Sequence, residues 1–359
     1  MKASLEQEKI AEIDKVKELV HSLIKAEAVS VERVGGGLNS KSYRVGDAAG
    51  NQFLTKFYFA HERDRRDRLG TEFSSLQFLR RNGLTCVPRP LAMSRTHTCA
   101  VYEYIEGDEV DPEKVTPTDV EAFINFFQDL NQLKSAALNC NFQPASEACF
   151  SVDALMRNVT LRLNRLLEVK DPELFKFLEG DFKPFLQTLI DWTKKKSEEN
   201  GMSLTQEIQF EQKILSPSDI GFHNVLRWRN GQMVFIDFEY FGWDDPAKTI
   251  CDFLLHPHQA MQISAPLKKQ FVDGMFSLFN GDRTLTQRTR IVYAFYGLKW
   301  CAIFLNEFIP HDLERRGFAQ GNNPSVRDVQ NRQLQKSKDM LGMLKENYQN
   351  PPWLGRGNQ

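Results

Sequence analysis

The spacing of hydrophobic and polar residues changes along the chain. Residues 5–25 carry apolar side chains at helical spacing, which predicts an amphipathic leading helix that serves for packing. Beyond about residue 106 the spacing is again mainly helical. Between these regions the pattern is mainly strand-like, with one helical stretch at 71–79. Strands are predicted on both sides of the glycines within 31–45, at 52–59, and in two runs after residue 90, of which the second is 99–105.

The second part of the chain contains several segments with apolar residues at helical spacing. One of them, 291–308, is hydrophobic on most faces and is therefore expected to be buried. Asp245 is expected to cap a helix that has Pro246 at its first position. The predicted helices are 120–134, 151–170, 174–198, 246–255, 271–279, 291–308 and 330–347.

One stretch interrupts this helical pattern. Two strand-like runs, 224–228 and 233–236, flank Arg229-Asn230-Gly231, which is a strong signal for a β-hairpin. Asp219 and Asn224 precede the hairpin, and Asp237 follows it directly. Asn224 comes five residues after Asp219, which is the spacing of the protein-kinase catalytic loop.

Phosphoryl transfer gives a chemical reason for these residue types. The reaction depends on positioning and charge neutralisation, and one carboxylate must orient the acceptor hydroxyl and take its proton, a role that suits Asp219. Mg²⁺ takes oxygen ligands, which Asn224 and Asp237 can supply from the two ends of a hairpin. The alternative is a surface hairpin whose Asp and Asn residues only cap turns. The Ile-Asp-Phe-Glu sequence at hairpin distance favours the functional interpretation.

These residues carry a resemblance to a known family. Ser-Asp-Ile-Gly-Phe-His-Asn, then Val-Phe-Ile-Asp-Phe-Glu-Tyr, Asp-Asp-Pro and Cys-Asp-Phe together resemble the aminoglycoside phosphotransferase and choline kinase superfamily of small-molecule kinases. The usual family pattern has His-Gly before the catalytic aspartate, whereas this chain has Pro217-Ser218. The difference removes a histidine that would help to hold the loop.

The resemblance implies an α+β, bilobal protein-kinase-like fold. An N-lobe of antiparallel sheet plus helix is expected over residues 1–105, and a larger, mainly helical C-lobe with the acceptor site over 106–359. It also implies that Asp252 braces the catalytic loop. Glu239 and Trp243 could touch the acceptor; alternatively, Trp243 packs and Glu239 makes a solvent or supporting contact.

The first part of the chain supplies candidates for nucleotide binding. Gly35, Gly36 and Gly37 lie between two strand-like runs, where glycines would let backbone N–H groups approach phosphates, although a plain hairpin turn is the alternative. Lys56 lies inside an apolar run and needs a partner. Glu72 is the natural carboxylate, as the equivalent of the helix-C glutamate of kinases, and Glu62 is a less attractive candidate. An edge-strand lysine that points to solvent is the alternative.

Two further features of the first part bear on the site. The strand 99–105 ends at Glu106-Gly107-Asp108, which resembles the family's hinge, where backbone groups hydrogen-bond adenine. The resemblance makes Glu103 and Ile105, at the end of this strand, candidates for binding the nucleotide. The charge-rich stretch 61–68 is interpreted as a solvated helix start or loop.

Composition narrows the class of protein. Of 359 residues, 41% are hydrophobic and 26% are charged, as in globular proteins, and the formal net charge of -1 gives no electrostatic case for nucleic acid or an anionic membrane. The six cysteines form no C-x-x-C pair, which fits reduced thiols and a cytoplasmic protein. Neither a signal peptide nor an apolar run long enough to span a membrane is present, and His256 and His258 lack the partners of a metal site.

The sequence therefore predicts an enzyme that uses ATP and Mg²⁺ to phosphorylate a hydroxyl of a small molecule. Aminoglycosides, choline-like alcohols, sugars and amino-acid-derived alcohols all remain open as acceptors, and the oligomeric state is unknown. A nucleotide-binding regulator of the same fold is the alternative, because Pro217-Ser218 replaces His-Gly. A protein kinase is disfavoured, since no A-P-E pattern follows Asp237.

Overall fold

A computed structural model describes residues 2–35, 40–60, 66–310 and 325–354, with side chains from Ile10 onward. The described chain divides into two compact units. The first contains the residues up to Asp108 together with Leu226–Tyr240, and the second contains the remainder. The sequence-based division near residue 106 differs from these units in one respect, because the predicted hairpin groups with the first unit.

The predicted strands and helices occur in the predicted order, together with short elements that were not predicted. The described strands are β1 Ala28–Val34, β2 Ser40–Asp47, β3 Gln52–Tyr58, β4 Pro90–Ser94, β5 Cys99–Glu103, β6 Gly107–Glu109, β7 Ile214–Ser216, β8 Val225–Trp228, β9 Met233–Phe235 and β10 Gly242–Asp244. The described α-helices are α1 Lys2–Ile24, α2 Arg68–Arg81, α3 Pro117–Gln132, α4 Lys134–Ala137, α5 Val152–Leu167, α6 Pro172–Phe177, α7 Lys183–Glu199, α8 Pro246–Leu255, α9 Ala265–Leu278, α10 Leu285–Phe304 and α11 Val326–Asn347. A 3-10 turn, Phe222–Asn224, precedes β8.

The first unit is built on an antiparallel sheet with the strand order β1-β2-β3-β5-β4. Val16 and Val20 of α1 pack into a core with Tyr43, Val45 and Val101 of the sheet, which confirms that the leading helix serves for packing. The spacing of apolar residues explains this contact, because positions four apart lie on one helix face.

The predicted β-hairpin is present in the first unit. Strands β8 and β9 are joined through a turn in which the Gly231 N–H donates to the carbonyl of Trp228 at 2.8 Å. Gly231 has a φ of +83°, a left-handed conformation that glycine adopts without a steric penalty. The Phe235 N–H donates to the Cys86 carbonyl at 2.8 Å and ties the hairpin to the rest of the unit.

The second unit is mainly helical, and its core is formed by helices that are buried on several faces. All ten residues of α8 are buried, and α10 buries most of its length, as its apolar composition predicts. The predicted helix 174–198 is instead α6 and α7 joined by a π turn, Leu178–Phe182. Pro184 lacks the N–H that would bond the carbonyl of Gly180, which is consistent with a widened turn at that point.

The predicted fold class is confirmed by these two units, one with an antiparallel sheet and one mainly helical. Within the described ranges, no helix combines the length and apolar character that crossing a membrane requires.

Candidate active site

The first group of candidate residues surrounds Lys56 on β3. The Lys56 Nζ lies 2.7 Å from Glu72 Oε2 on α2 and 2.8 Å from Asp237 Oδ1 shortly after β9. The side chains of Lys56 and Glu72 are only 7% and 6% exposed. The predicted ion pair is therefore present, and the alternative of a solvent-facing lysine is wrong. We call Lys56, Glu72, Asp237 and Glu239 the lysine cluster.

Asp237 is the member of the lysine cluster that reaches solvent. Its side chain is 37% exposed, and its φ of +64° lies in the left-handed region. Aspartate is among the residues that tolerate this conformation, at a cost of about 1 kcal/mol. The backbone thus turns at Asp237, two residues after the end of β9, where the carboxylate contacts the Lys56 ammonium.

Glu239 completes the cluster and makes a supporting contact, which was one of the alternatives predicted for it. Its side chain is 2% exposed, with Oε2 4.0 Å from the Lys56 Nζ and Oε1 3.7 Å from the Arg68 Nε. The solvent alternative for Glu239 is therefore wrong. Residues 61–65 of the charge-rich stretch lie outside the described residues, but Arg68 is 2% exposed, so the prediction of a solvated segment is wrong for that residue.

The charges of the lysine cluster shift its pKa values. Burial lowers the pKa of Lys56, but Asp237, Glu72 and Glu239 outweigh this effect and hold it well above the ordinary value. Burial and the nearby Asp237 charge raise the pKa of Glu239 to about 7, against the opposing effect of Lys56. The ammonium is thus fixed in its charged form, whereas Glu239 titrates near neutral pH.

Glu72 is held by two tyrosines as well as by Lys56. The Tyr58 hydroxyl donates to Glu72 Oε2 at 2.8 Å, and the Tyr58 and Tyr102 hydroxyls lie 2.6 Å apart. These buried contacts fix the orientation of the carboxylate. Oxygen atoms of Glu72, Asp237 and Glu239 lie within 4.8 Å of one another, and carboxylate oxygens are the donor type that a hard divalent cation prefers.

The other predicted nucleotide residues are only partly described. Gly35 has a φ of +72°, a conformation that favours glycine, while Gly36 and Gly37 lie outside the described residues. The Glu103 N–H donates to the Arg89 carbonyl at 2.8 Å, and Ile105 is buried. The Glu103 amide is therefore already used within the protein.

The second group of candidate residues surrounds Asp219, which lies in the loop between β7 and the turn Phe222–Asn224. The Asp219 Oδ1 lies 3.2 Å from His223 Nε2 and 3.1 Å from His256 Nε2, and its side chain is 33% exposed. The Asn224 amide donates to the Asp219 carbonyl at 2.8 Å, which leaves its oxygen as the atom that can ligate a metal. We call Asp219, His223 and His256 the aspartate cluster.

The two imidazoles determine the ionisation of Asp219. Burial raises the pKa of this carboxyl, but the hydrogen bonds from His223 and His256 outweigh it and hold the pKa well below the ordinary value. Burial also lowers the pKa of His256, against the opposing charge of Asp219. Near neutral pH the cluster thus pairs an ionised carboxylate with a neutral His256.

The loop that carries Asp219 is held without the histidine of the family pattern. Ser218 has a φ of +69°, where the family pattern has a glycine. The Ser218 hydroxyl donates to the Ser146 carbonyl at 2.7 Å and accepts from the Lys248 Nζ at 2.9 Å. Because these hydrogen bonds are buried or partly buried, they can offset the cost of about 1 kcal/mol that a serine has in a left-handed backbone conformation.

A buried ionic network supports Lys248. The Lys248 Nζ lies 2.8 Å from Asp244 Oδ2 and 3.2 Å from Asp252 Oδ2. Asp252 Oδ1 also accepts hydrogen bonds from the Lys299 Nζ at 3.1 Å and from the Trp300 indole N–H at 3.0 Å. Burial raises the pKa of Asp252, but Lys299 and Lys248 outweigh it and lower the pKa. Asp252 thus reaches the loop through Lys248, in agreement with the bracing role that the resemblance implies.

Two other expectations on this stretch can be compared with the structure. Asp245 accepts from the Ala247 N–H at 2.9 Å and caps α8, with Pro246 at the first position, as predicted. Trp243 is 9% exposed and packs edge-on against Phe210, which favours packing over contact with an acceptor.

Sequence reasoning missed His223, His256, Lys248 and Lys299 as supporting residues. His223 precedes Asn224 inside the motif, and this position could have identified it. The other three lie in or after helices of apolar pattern, and their spacing from Asp219 follows no local period. Only the packing of α8 and α10 brings them near the loop.

The fold and the motif define a member of the protein-kinase-like small-molecule kinase superfamily. The profile of the phosphotransferase enzyme family matches residues 30–259, and the chain therefore belongs to that family. A search of curated protein sequences found no match.

Several solved structures share the fold at low sequence identity. A spectinomycin phosphotransferase in complex with ADP and spectinomycin is 11% identical, with a TM-score of 0.62 over 93% of this chain and 98% of that chain. A choline kinase from Streptococcus pneumoniae is 16% identical, with a TM-score of 0.59 over 93% and 99%. An ethanolamine kinase from Plasmodium vivax is 13% identical, with a TM-score of 0.54 over 89% and 82%.

Proposed function

We propose that this protein is an ATP- and Mg²⁺-dependent kinase that transfers the γ-phosphoryl group to a hydroxyl of a small molecule. The buried Lys56 ammonium between Glu72 and Asp237 is the observation that carries this proposal. A charged lysine fixed by a helix carboxylate is a recurring part of phosphoryl-transfer sites, where it holds the phosphates. Structures of the same fold contain ADP or AMP.

The first unit would bind the nucleotide. Lys56, fixed by Glu72, would hold the α- and β-phosphates, and Gly35 with Gly36 and Gly37 would cover them. The backbone at Glu103 and Ile105 would contact adenine. The Glu103 N–H is already bonded to Arg89, which favours Ile105 as the donor to the base.

Asp237 and Asn224 would act as ligands of Mg²⁺. The donor set fits this ion, since both residues offer oxygen atoms and Asp237 is the exposed carboxylate of the lysine cluster. A bound Mg²⁺ would neutralise charge on the phosphates. The Lys56 ammonium would also neutralise charge on the phosphates.

Asp219 would orient the acceptor hydroxyl and accept its proton. Its imidazole partners keep it ionised near neutral pH, as a base must be. The support of Ser218 by Ser146 and Lys248 weakens the motive for the inactive regulator, because the loop is held without His-Gly. The class of acceptor stays open among amino alcohols, sugars and aminoglycosides.

The test is ADP release from Mg²⁺-ATP against a panel of aminoglycosides, choline, ethanolamine, hexoses, amino sugars, nucleosides and homoserine. We expect acceptor-dependent release that falls by about 10²- to 10⁴-fold in Asp219→Asn, since the base is lost while ATP binding is retained. ATP binding without turnover on any acceptor would favour the regulator. Failure to bind ATP would contradict both functions.

A further inference from the structure

The aspartate cluster contains two imidazoles that meet one carboxylate oxygen. The rings of His223 and His256 are stacked, with centroids 4.0 Å apart and planes 18° from parallel. Within the described residues, the hydrogen bonds of the Asp219 carboxylate are both made by Oδ1. An ionised carboxylate only accepts hydrogen bonds, so each Nε2 must carry a hydrogen to make them.

The backbone fixes the tautomer of His256 independently. The His258 N–H lies 3.2 Å from His256 Nδ1, and the Ala260 N–H lies 3.2 Å from His258 Nδ1. A backbone N–H can only donate, so Nδ1 of His256 is an acceptor without a hydrogen. The neutral ring then carries its hydrogen on Nε2, which is the atom that faces Asp219.

The room for His223 depends on a glycine. A Cβ atom on Gly221 would lie 2.6 Å from His223 Nδ1 and 2.6 Å from Met261 Sδ. A side chain at this position would force the His223 ring and the Met261 side chain to shift. Gly221 is therefore needed for the space it leaves, since its backbone is extended.

The same three residues could be considered a metal site, because their ligand atoms lie within 4.8 Å of one another. Coordination through His256 Nε2 would place the hydrogen on Nδ1, where it would face the His258 N–H. Two N–H donors, one from the ring and one from the backbone, would then face each other without an acceptor. The geometry thus favours hydrogen bonds to Asp219 over a bound metal.

We propose that His223 and His256 are positioning residues that occupy Oδ1 of Asp219 and reserve Oδ2 for the acceptor. The relevance of this arrangement to catalysis depends on the proposed function. The acceptor hydroxyl gives its proton to Oδ2 while its oxygen bonds the γ-phosphorus. The bond from that phosphorus to the bridging oxygen breaks, and ADP leaves with the electron pair.

Removal of either imidazole should make Asp219 harder to ionise. Other titratable groups near the pair are Asp252, whose charge acts on His256, and His258, which Glu109 faces. The variants below change none of these three residues. Loss of one hydrogen bond to a charged group should raise the pKa of Asp219 by about one to two units.

The experiment is an NMR titration of the Asp219 side-chain carboxyl carbon in the full chain, with ¹⁵N detection of the imidazoles. We expect His256→Phe to raise the pKa of Asp219 by about one to two units and His256→Gln, which keeps a donor, to raise it less. His21→Phe, at an exposed position, is the control and should leave it unchanged. In the wild type, His256 Nδ1 should carry no hydrogen.

An unchanged Asp219 pKa in both His256 variants, or a hydrogen on His256 Nδ1, would overturn the proposal. If His256→Phe does not fold, the Asp219 pKa measured in His256→Gln and in His223→Phe tests the proposal instead. The titration needs no turnover, so it separates this proposal from a failure of the kinase function. With an active acceptor, the acidic limb of the kcat/KM profile should move up with the Asp219 pKa, while KM for ATP stays constant.

Discussion

In the lysine cluster a buried ammonium is surrounded by carboxylates, whereas in the aspartate cluster a carboxylate is met by two imidazoles. The first arrangement depends on opposite charges at short range, and Lys56 is held in its charged form by Glu72, Asp237 and Glu239. The second depends on hydrogen bonds that add no net charge when the rings are neutral.

The two clusters should respond differently when one member is removed. Removing one member of a buried charge cluster leaves uncompensated charge, which is costly. Removing one neutral donor leaves the carboxylate with its other donor and with solvent, since Asp219 is one-third exposed. The lysine cluster should therefore be important for folding, and the aspartate cluster for the ionisation of a single group.

The largest expected effect is that of Lys56→Met. This change leaves Glu72, Asp237 and Glu239 without their common cation, and we expect it to lower the free energy of unfolding by about 3–5 kcal/mol. Urea denaturation measures the loss. Because Glu72→Gln removes one of the stranded charges, the double variant should recover part of it, and a loss below about 1 kcal/mol for Lys56→Met would contradict this account.

An intermediate effect is expected for Glu239→Gln. It should change how the free energy of unfolding depends on pH. In the unfolded chain Glu239 loses its proton near pH 4.5, whereas in the folded protein it keeps it up to about pH 7. Between these values the wild type should lose about 1.4 kcal/mol of stability per pH unit from this group as the pH rises, and above pH 7 this contribution is constant. The variant should lack this slope.

The comparison that checks this prediction uses urea denaturation of wild type, Glu239→Gln and the surface control Glu121→Gln at several pH values. The control should retain the slope of the wild type. If Glu239→Gln has the same slope as the control between pH 4.5 and 7, the assignment of the raised pKa to Glu239 is wrong.

The smallest effect is expected at Ser218, which lies next to the aspartate cluster. Ser218→Ala loses the bonds to Ser146 and Lys248 but keeps the left-handed backbone, whereas Ser218→Gly loses the same bonds and relieves the strain. We expect both to be less stable than wild type, with the alanine variant about 1 kcal/mol worse than the glycine variant. Thermal and urea unfolding would measure the difference, and equal stabilities would show that the backbone conformation carries no strain.

Several elements could be predicted from the sequence because their signals are local. The β8–β9 hairpin follows from two strand-like runs around Asn230-Gly231, and the cap of α8 follows from Asp245-Pro246. The pairing of Lys56 with Glu72 was also predictable, since a lysine in an apolar run requires a nearby carboxylate.

Other features failed because their burial depends on distant elements. Arg68 ends a charge-rich stretch and Glu239 is a charged residue among aromatic neighbours, yet both are buried, with Glu239 lying against Lys56 and Arg68. The π turn at Leu178–Phe182 also escaped prediction, because the apolar spacing of 174–198 continues through it.

The sequence by itself determined the order of strands and helices, the family and the candidate residues Lys56, Glu72, Asp219, Asn224 and Asp237, because periodicity and motif spacing are properties of neighbouring residues. The tertiary structure alone decided that His256 and Lys248 support the Asp219 loop and that Glu239 is buried beside Lys56. These contacts depend on how helices and strands pack, and packing selects partners by shape and burial over separations that no local pattern records.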